Sequence, residues 1–157
     1  MSNNPYGKNV EGVDLLASLE ATPQRIATVV ARWSAASFGH SYAPGKWTAA
    51  KILIHLAQME IVFSSRLRFA ASTDGYTVQP FEQDDWMAIE ESADGRAALD
   101  AYRALRRLNI ALCRRLTAEQ RTRAFEHPDF GRINIDWLLG QVAGHERHHL
   151  PQLEAIT

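Results

Sequence analysis

Apolar and polar residues follow each other along the chain with the three- and four-residue spacing of amphipathic helices, in four long blocks. The blocks cover about residues 10–33, 48–71, 97–116 and 134–153. Thr48 and Asn134 stand where their side chains can cap the second and fourth helices. Strand-like alternation is confined to short ambiguous pieces near residues 130–133. The pattern predicts an all-α protein, an antiparallel four-helix bundle, with residues 1–157 in a single domain.

Two prolines fall inside the predicted helices. Thr22 and Pro23 suit a helix cap and first turn, so we expect the first helix to restart or kink there. Pro151 interrupts the fourth helix, where it removes the hydrogen bond to the Arg147 carbonyl and crowds that group. We therefore expect a kink near the carboxyl end of the bundle.

The connection between the second and third helices is long. It carries Asp74-Gly75, Pro80 and the segment Asp84-Asp85-Trp86. A connection of this length in a compact domain is usually functional or packed over another part of the fold.

The length and cysteine content favour a protein of the cytoplasm. A chain of 157 residues can close one hydrophobic core without disulfides, and Cys113 is the single cysteine. No apolar run approaches the roughly 20 residues of a membrane span. The first residues lack the basic and then apolar segments of a secretory signal. We expect no membrane association.

The charge pattern argues against nucleic acid as a partner. The formal net charge is −1, which provides no basic field for a phosphate backbone. Arginines are densest on one amphipathic segment among acidic and polar neighbours, and this favours a solvated helix face. They are Arg103, Arg106, Arg107, Arg114, Arg115, Arg121 and Arg123.

Three histidines suggest a metal site. His145 and His149 project about 40° apart on the fourth helix, so both can bind one ion. His148 points roughly 100° further round and is a poorer candidate, which we expect to be exposed or to lie behind the ligands. His55 flanks the apolar stripe of the second helix and can complete a three-imidazole site with open positions. Surface or core histidines would account for the same spacing.

Two stretches resemble the signatures of a known family, and two connecting segments support them. The first signature is Gly45-Lys46-Trp47-Thr48 with Ile54-His55-Leu56-Ala57 and Glu60. The second is Gly144-His145-Glu146-Arg147-His148-His149-Leu150-Pro151-Gln152. The connecting segments are residues 80–86 and 127–131. These stretches resemble the DinB/YfiT-like metalloenzyme family over nearly the whole chain.

The resemblance implies a four-helix bundle of the family's own topology that usually forms a homodimer and binds one divalent cation. By position, the ligands would be His55, His145 and His149. Imidazole accepts Zn, Ni and Fe, and Zn or Ni is preferred here. Family members include thiol-dependent isomerases and S-transferases, which implies a low-molecular-weight thiol as a candidate cosubstrate.

Two classes of function remain open from the sequence. In the first, the protein is an enzyme whose cation activates either water or a thiolate, as a hydrolase or as a thiol-dependent S-transferase or isomerase with a small-molecule substrate. In the second, it is a non-catalytic metal-binding or stress-associated scaffold. An open coordination position would favour the enzyme, and four protein ligands would favour the scaffold.

Several polar residues lie on predicted inner faces. Glu60 is a candidate catalytic residue that could accept a proton or contact metal-bound water, or it could cap the edge of the core. We expect Arg66 and Glu146 to form an interior ion pair, because a buried carboxylate needs a partner. Asn109 is expected to bond to a buried backbone group or to a ligand histidine.

The remaining aromatic and sulfur side chains have mostly structural interpretations. Trp47, Trp86 and Trp137 could line a pocket above the metal, although core packing is the commoner role. Loop positions predict solvated side chains for His40 and His127. Cys113 faces inward without an activating neighbour, which predicts a packed thiol.

Overall fold

Four long helices dominate the computed structural model, which describes residues 3–90 and 93–156. They are α1 (Leu15–Val30), α2 (Ala49–Ser72), α4 (Gly95–Cys113) and α6 (Ile135–Glu154). Two short helices lie between them, α3 (Gln83–Ile89) and α5 (Ala118–Thr122), and short 3-10 helices cover Gly7–Val10 and Ala36–Gly39. The predicted helical bundle is confirmed. None of the helices in the described part of the chain is long and apolar enough to cross a bilayer.

Side-chain caps define where the helices begin. Thr48 Oγ1 accepts from the Lys51 amide, and Asn134 Oδ1 accepts from the Trp137 amide, as predicted. Helix α1 is capped by Asp14, whose side chain accepts from the Ala17 amide. Helix α1 runs unbroken from Leu15 to Val30, so the predicted restart at Thr22-Pro23 is wrong, while the kink expected as the alternative stays a prediction.

Helix α1 continues through Pro23 because the affected groups find other partners. Pro23 has no amide proton to donate to the carbonyl of Leu19, four residues earlier. That carbonyl instead accepts from Arg106 Nη1 at 3.2 Å. Helix α6 likewise continues through Pro151 to Glu154.

Helices α1 and α2 lie at diagonal corners of the bundle, and α4 and α6 occupy the other two corners. Helices α4 and α6 each pack against both α1 and α2. Helices α2 and α4 are parallel: a β carbon at Gly95 would lie 3.1 Å from Ala50 Cα, and further along Arg68 bonds to Asn109. Helices α1 and α6 run the other way, so two helices point in each direction.

A small β-hairpin joins α5 to α6, where the sequence shows only short, ambiguous strand-like pieces. Strands β1 (Ala124–His127) and β2 (Gly131–Asn134) pair antiparallel, and Gly131 has a positive φ of 69°. The Val78 amide bonds to the Glu126 carbonyl, which ties the long α2–α3 connection to the hairpin. The prediction that this connection packs over the fold is confirmed.

The interior is divided into two apolar clusters by a layer of polar side chains. One cluster contains Phe63, Cys113 and Leu138, and the other contains Leu56, Tyr102 and Leu153. Between them the bundle buries Glu60, Arg106, Asn109 and Glu146, none more than 2% exposed. The metal-binding candidates lie on the side of the second cluster.

Candidate metal centre

The three predicted histidines converge between α2 and α6. These helices are antiparallel, so His55 near the start of α2 meets His145 and His149 near the end of α6. His145 Nε2 lies 2.9 Å from His55 Nε2 and 3.1 Å from His149 Nε2. All three rings offer a nitrogen within 4.8 Å of the others. Their side chains are 2–8% exposed.

These nitrogens fit a divalent cation. Ligand nitrogens about 2.0–2.1 Å from a tetrahedral Zn²⁺ are about 3.3 Å apart. The separations of His145 Nε2 from His55 Nε2 and from His149 Nε2 are only a few tenths of an ångström shorter. A small opening of the rings would therefore place three imidazoles around one ion.

Neighbouring side chains orient the rings. His149 Nδ1 lies 2.8 Å from Gln152 Oε1, an acceptor, so Nδ1 carries the proton and Nε2 keeps a lone pair for a metal. The Trp47 ring packs edge-on against His55 at 5.1 Å between centroids. His55 Nδ1 is buried and has no hydrogen-bond partner among the described residues.

Burial keeps the three rings neutral. Desolvation lowers the pKa of His55 to about 3, and the nearby His149 adds to the effect. Desolvation lowers the pKa of His149 to about 4, although the bond to Gln152 opposes it. Burial and the other histidines hold the pKa of His145 well below its usual value. Protons therefore compete weakly with a metal for these nitrogens at neutral pH.

One protein-family model matches most of the chain. The family model of the DinB superfamily matches residues 18–153, which include all three histidines. The chain belongs to the DinB superfamily. This DinB protein is 25% identical over 139 residues to the OB0782 protein of Oceanobacillus iheyensis, covering 88% of the chain and 81% of that protein. It is also 25% identical to YfiT of Bacillus subtilis, covering 88% and 80%. Both relatives are provisionally named metal-dependent hydrolases.

The fold agrees with a solved structure of the family. The structure of YfiT from Bacillus subtilis, described as having an unusual four-helix bundle topology, superposes with a TM-score of 0.82 at 24% identity. The alignment covers 98% of this DinB protein and 86% of YfiT. This likeness confirms a bundle of the YfiT type.

The histidines form part of the wall of a cavity of about 330 Å³ that opens to the surface. The other lining residues are Tyr6, Tyr42, Gly45, Lys46, Trp47, Gln83, His148 and Gln152. His148 is exposed, as predicted. The cavity provides room for a small molecule beside the three rings.

Tyr6, to which no sequence pattern pointed, is held against the histidines by the N-terminal segment. Its ring lies 5.2 Å from that of His145, edge-on. Asn9 Nδ2 donates to the Gly144 carbonyl, and Arg147 Nε donates to the Asn9 carbonyl. Gly144, inside the recognised motif, was the available signal, because a buried helical glycine often marks a close approach.

We expect Gly144→Ala to displace Tyr6 from the metal centre. The added Cβ would lie 2.6 Å from both Tyr6 Cβ and the Tyr6 carbonyl oxygen, so backbone must move. The free energy of unfolding should fall by about 1–3 kcal/mol, as is typical of overpacked sites. Urea unfolding measures this cost, and Gly39→Ala, which meets nothing within 4 Å, is the matched control. Equal stabilities of the two variants would contradict the close approach.

The predicted ion pair between Arg66 and Glu146 is wrong, because Arg106 is the partner of Glu146. Arg106 Nη1 donates to Glu146 Oε2 at 3.0 Å, Nη2 donates to Glu146 Oε1, and Nε donates to Glu60 Oε1 at 3.0 Å. Tyr102 Oη also donates to Glu146 Oε1, at 2.8 Å. Arg106 is therefore not on the solvated face predicted for it.

Within the polar layer, Arg106 and the carboxylates of Glu60 and Glu146 stabilise each other's charged forms. Burial alone lowers the pKa of Arg106, but the two carboxylates outweigh it and hold that pKa well above the usual range. Burial raises the pKa of Glu146, and Arg106 opposes the rise. Because Glu146 adjoins His145 in the sequence, this layer fixes the helix turn that carries a candidate ligand.

Glu60 and Asn109 belong to the same layer. Asn109 Nδ2 donates to Glu60 Oε1 at 2.8 Å, and Arg68 Nη1 donates to Asn109 Oδ1 at 2.8 Å. Asn109 thus bonds to side chains, not to the backbone group or histidine that we expected. Glu60 does not line the metal cavity described above, and its catalytic role stays a prediction.

The structure also shows where the predicted aromatic and sulfur side chains lie. Of the three tryptophans considered for the pocket, Trp47 lines the metal cavity, whereas Trp137 packs in the core against Phe130. Trp86 lines a different cavity. His127 is only 6% exposed on β1, so the prediction of a solvated loop residue is wrong. Cys113 is packed as predicted, and burial raises the pKa of its thiol to about 11.

We expect the metal-free protein to lose stability in mild acid. The rings of His55 and His149 stay neutral when folded, whereas unfolded histidine binds a proton below about pH 6.5. Stability is therefore full above pH 6.5 and falls toward pH 4, on the order of 2 kcal/mol per ring by pH 5. Urea unfolding with a chelator at pH 7.5 and 5.0 measures this. His55→Gln should weaken the dependence and His40→Gln should not; an unchanged dependence in His55→Gln would contradict the assignment.

Proposed function

We propose that this protein is a metal-dependent hydrolase of a small-molecule substrate. One observation carries the proposal: three imidazole nitrogens within 4.8 Å of one another form part of the wall of a 330 Å³ open cavity. Three protein ligands facing a cavity are typical of catalytic sites, because structural sites usually close with a fourth. The provisional names of OB0782 and YfiT support the same class.

The residues around the cavity have two roles, which are to bind the ion and to orient its ligands. His55, His145 and His149 would hold the ion, for which Zn and Ni are preferred over Fe. A divalent cation held there supplies a Lewis acid that polarises a carbonyl or phosphoryl oxygen. Gln152 fixes the proton of His149 on Nδ1, and this keeps Nε2 directed at the site.

The walls favour a substrate with an apolar part. Tyr6, Tyr42 and Trp47 provide aromatic surface, while Lys46 and Gln83 provide donors at the exposed side. A cavity of this size admits a compact molecule and excludes a folded macromolecule. We infer that recognition combines stacking with one or two polar contacts.

Water is the proposed nucleophile. The single thiol of the chain is buried, and the pKa of Cys113 is raised to about 11, so it supplies no internal thiolate. A low-molecular-weight thiol from outside is the alternative cosubstrate. Glu60 has both carboxylate oxygens bound by Arg106, so we expect Glu60→Gln to act mainly on stability.

The test is turnover of a panel of small esters, amides and lactones by the Zn- or Ni-loaded protein, with and without glutathione. We expect product without thiol, and at least a hundredfold lower rate for His149→Ala. His40→Ala, a change at an exposed loop residue, should keep the rate. Turnover only with glutathione would support the transferase instead. No turnover by a loaded protein would favour the scaffold.

The oligomeric state and location are separate proposals. We propose that the protein works as a homodimer in the cytoplasm, as the family resemblance and the single cysteine suggest. Light scattering coupled to size-exclusion chromatography should give the mass of two chains. The mass of one chain would contradict the dimer.

A further inference from the structure

A second cavity lies along α2, away from the histidines. Its volume is about 250 Å³, and Arg66 forms part of its wall together with Ile61, Tyr76, Pro80, Phe81 and Trp86. Arg66 follows His55 by eleven residues on the same helix, which corresponds to about 16 Å along the axis. The two cavities are therefore separate.

Arg66 is buried without a counterion. Its side chain is 7% exposed, and its Nη2 donates to the Gln79 carbonyl at 3.2 Å. No carboxylate within residues 3–90 and 93–156 forms an ion pair with it. Arg106, by contrast, has two buried carboxylates around it. A guanidinium with a single carbonyl acceptor has further N–H donors, and these are available to a ligand in the cavity that Arg66 lines.

The charge of Arg66 acts on its surroundings. Burial lowers the pKa of Arg66, and its positive charge joins burial in lowering the pKa of His127. Asp129 is the carboxylate whose negative charge opposes the lowering of the Arg66 pKa. Its side chain is 75% exposed, and its Oδ2 lies 3.9 Å from His127 Nδ1. The fold thus provides no desolvated anion to offset this arginine.

We propose that this cavity is a binding site for a small aromatic monocarboxylate, with Arg66 as the anion-binding group. The planar guanidinium forms paired hydrogen bonds with a carboxylate, and such charge-assisted pairs are the strong ones. The ligand supplies the missing negative charge at the buried end of the cavity.

The shape and lining select the rest of the ligand. Tyr76, Phe81 and Trp86 are half-buried, and the rings of Phe81 and Trp86 pack edge-on at 4.8 Å between centroids. Aromatic pairs favour this edge-on arrangement, which a bound ring can extend. A volume of about 250 Å³ accommodates one substituted ring with its carboxylate.

The site adjoins the metal cavity through one segment. Phe81 and Trp86 line the Arg66 cavity, while Gln83 between them lines the metal cavity. A ligand at Arg66 therefore contacts the segment that forms part of the metal cavity's wall. The site is nonetheless defined by its own residues and needs no metal.

Calorimetric titration with benzoate tests the proposal, with benzamide as the uncharged ligand of the same shape. We expect saturable binding of one benzoate per chain and at least tenfold weaker binding of benzamide. Arg66→Gln should weaken benzoate binding at least tenfold, whereas the exposed Arg107→Gln should leave it unchanged.

Two further variants distinguish binding at the Arg66 cavity from binding at the histidines. His149→Ala should bind benzoate as the unchanged protein does, because the carboxylate does not meet the histidines. Phe81→Ala changes a half-buried wall residue and should weaken binding even if Arg66→Gln fails to fold. Equal binding of benzoate and benzamide, no saturable binding, or loss in His149→Ala with retention in Arg66→Gln would each overturn the proposal.

Discussion

Replacing Arg106 with methionine is expected to lower the free energy of unfolding by about 3–5 kcal/mol. The guanidinium lies between Glu60 and Glu146 in the middle of the bundle, and all three side chains are at most 2% exposed. Methionine leaves two carboxylates desolvated without a cation. It also removes the donor to the Leu19 carbonyl, which Pro23 has left without its helical partner.

Urea unfolding of the Arg106→Met variant measures this loss. Arg107→Met is the control, because Arg107 is exposed one position further along α4 and should change stability by less than about 0.5 kcal/mol. Adding Glu60→Gln and Glu146→Gln to Arg106→Met should recover much of the loss, since no buried charge then remains. Similar stabilities for Arg106→Met and Arg107→Met would show that the layer does not stabilise the bundle.

Removal of one ligand histidine is expected to lower metal affinity by at least about a hundredfold. His55→Ala breaks the site from α2 and His149→Ala breaks it from α6, so each variant leaves two imidazoles. Gln152→Ala should cost about 10–100-fold, as is typical when a partner that orients a ligand is lost. Competition with a chelating dye measures these affinities.

His148→Ala is the matched control for the ligand variants. It removes an exposed imidazole next to His149 that lines the cavity but is not one of the three converging rings. Because His148 Nε2 lies 3.2 Å from Gln152 Nε2, His148→Ala removes one contact of the residue that orients His149, and it should lower the Zn²⁺ affinity by less than Gln152→Ala does. A loss in His148→Ala as large as in His55→Ala would mean that the wrong imidazoles were assigned.

Local patterns predicted the helices and the shared helix face of His145 and His149, because both depend on short-range spacing. Thr48 and Asn134 cap helices through neighbours three residues away, and His145 and His149 share a helix face. The third ring, His55, could be placed only through the family resemblance. Helical spacing puts it on an inner face but does not say which helix it meets.

Long-range pairing was where the sequence failed. Arg66 and Arg106 both lie on inner helix faces, and choosing the partner of Glu146 requires knowing the diagonal arrangement of the bundle. The spacing of Tyr102, Arg106 and Asn109 at intervals of four and three residues was the signal that Arg106 faces inward. The dense arginines around it favoured a solvated face instead.

Short elements and prolines were also beyond local patterns. The four-residue strands β1 and β2 are too short for a clear alternation, and His127 is buried through contacts of its ring with Phe130 and Trp137. The continuity of α1 through Pro23 depends on a donor from α4, which no local sequence pattern contains.

X-ray absorption spectroscopy of the Zn-loaded protein tests the central claim most directly. The fine structure should show three imidazole nitrogens at about 2.0–2.1 Å, with the remaining coordination by light exchangeable ligands. The count should fall to two imidazoles in His55→Ala. Two or fewer imidazoles in the unchanged protein, or an unchanged spectrum in His55→Ala, would contradict a centre shared by α2 and α6.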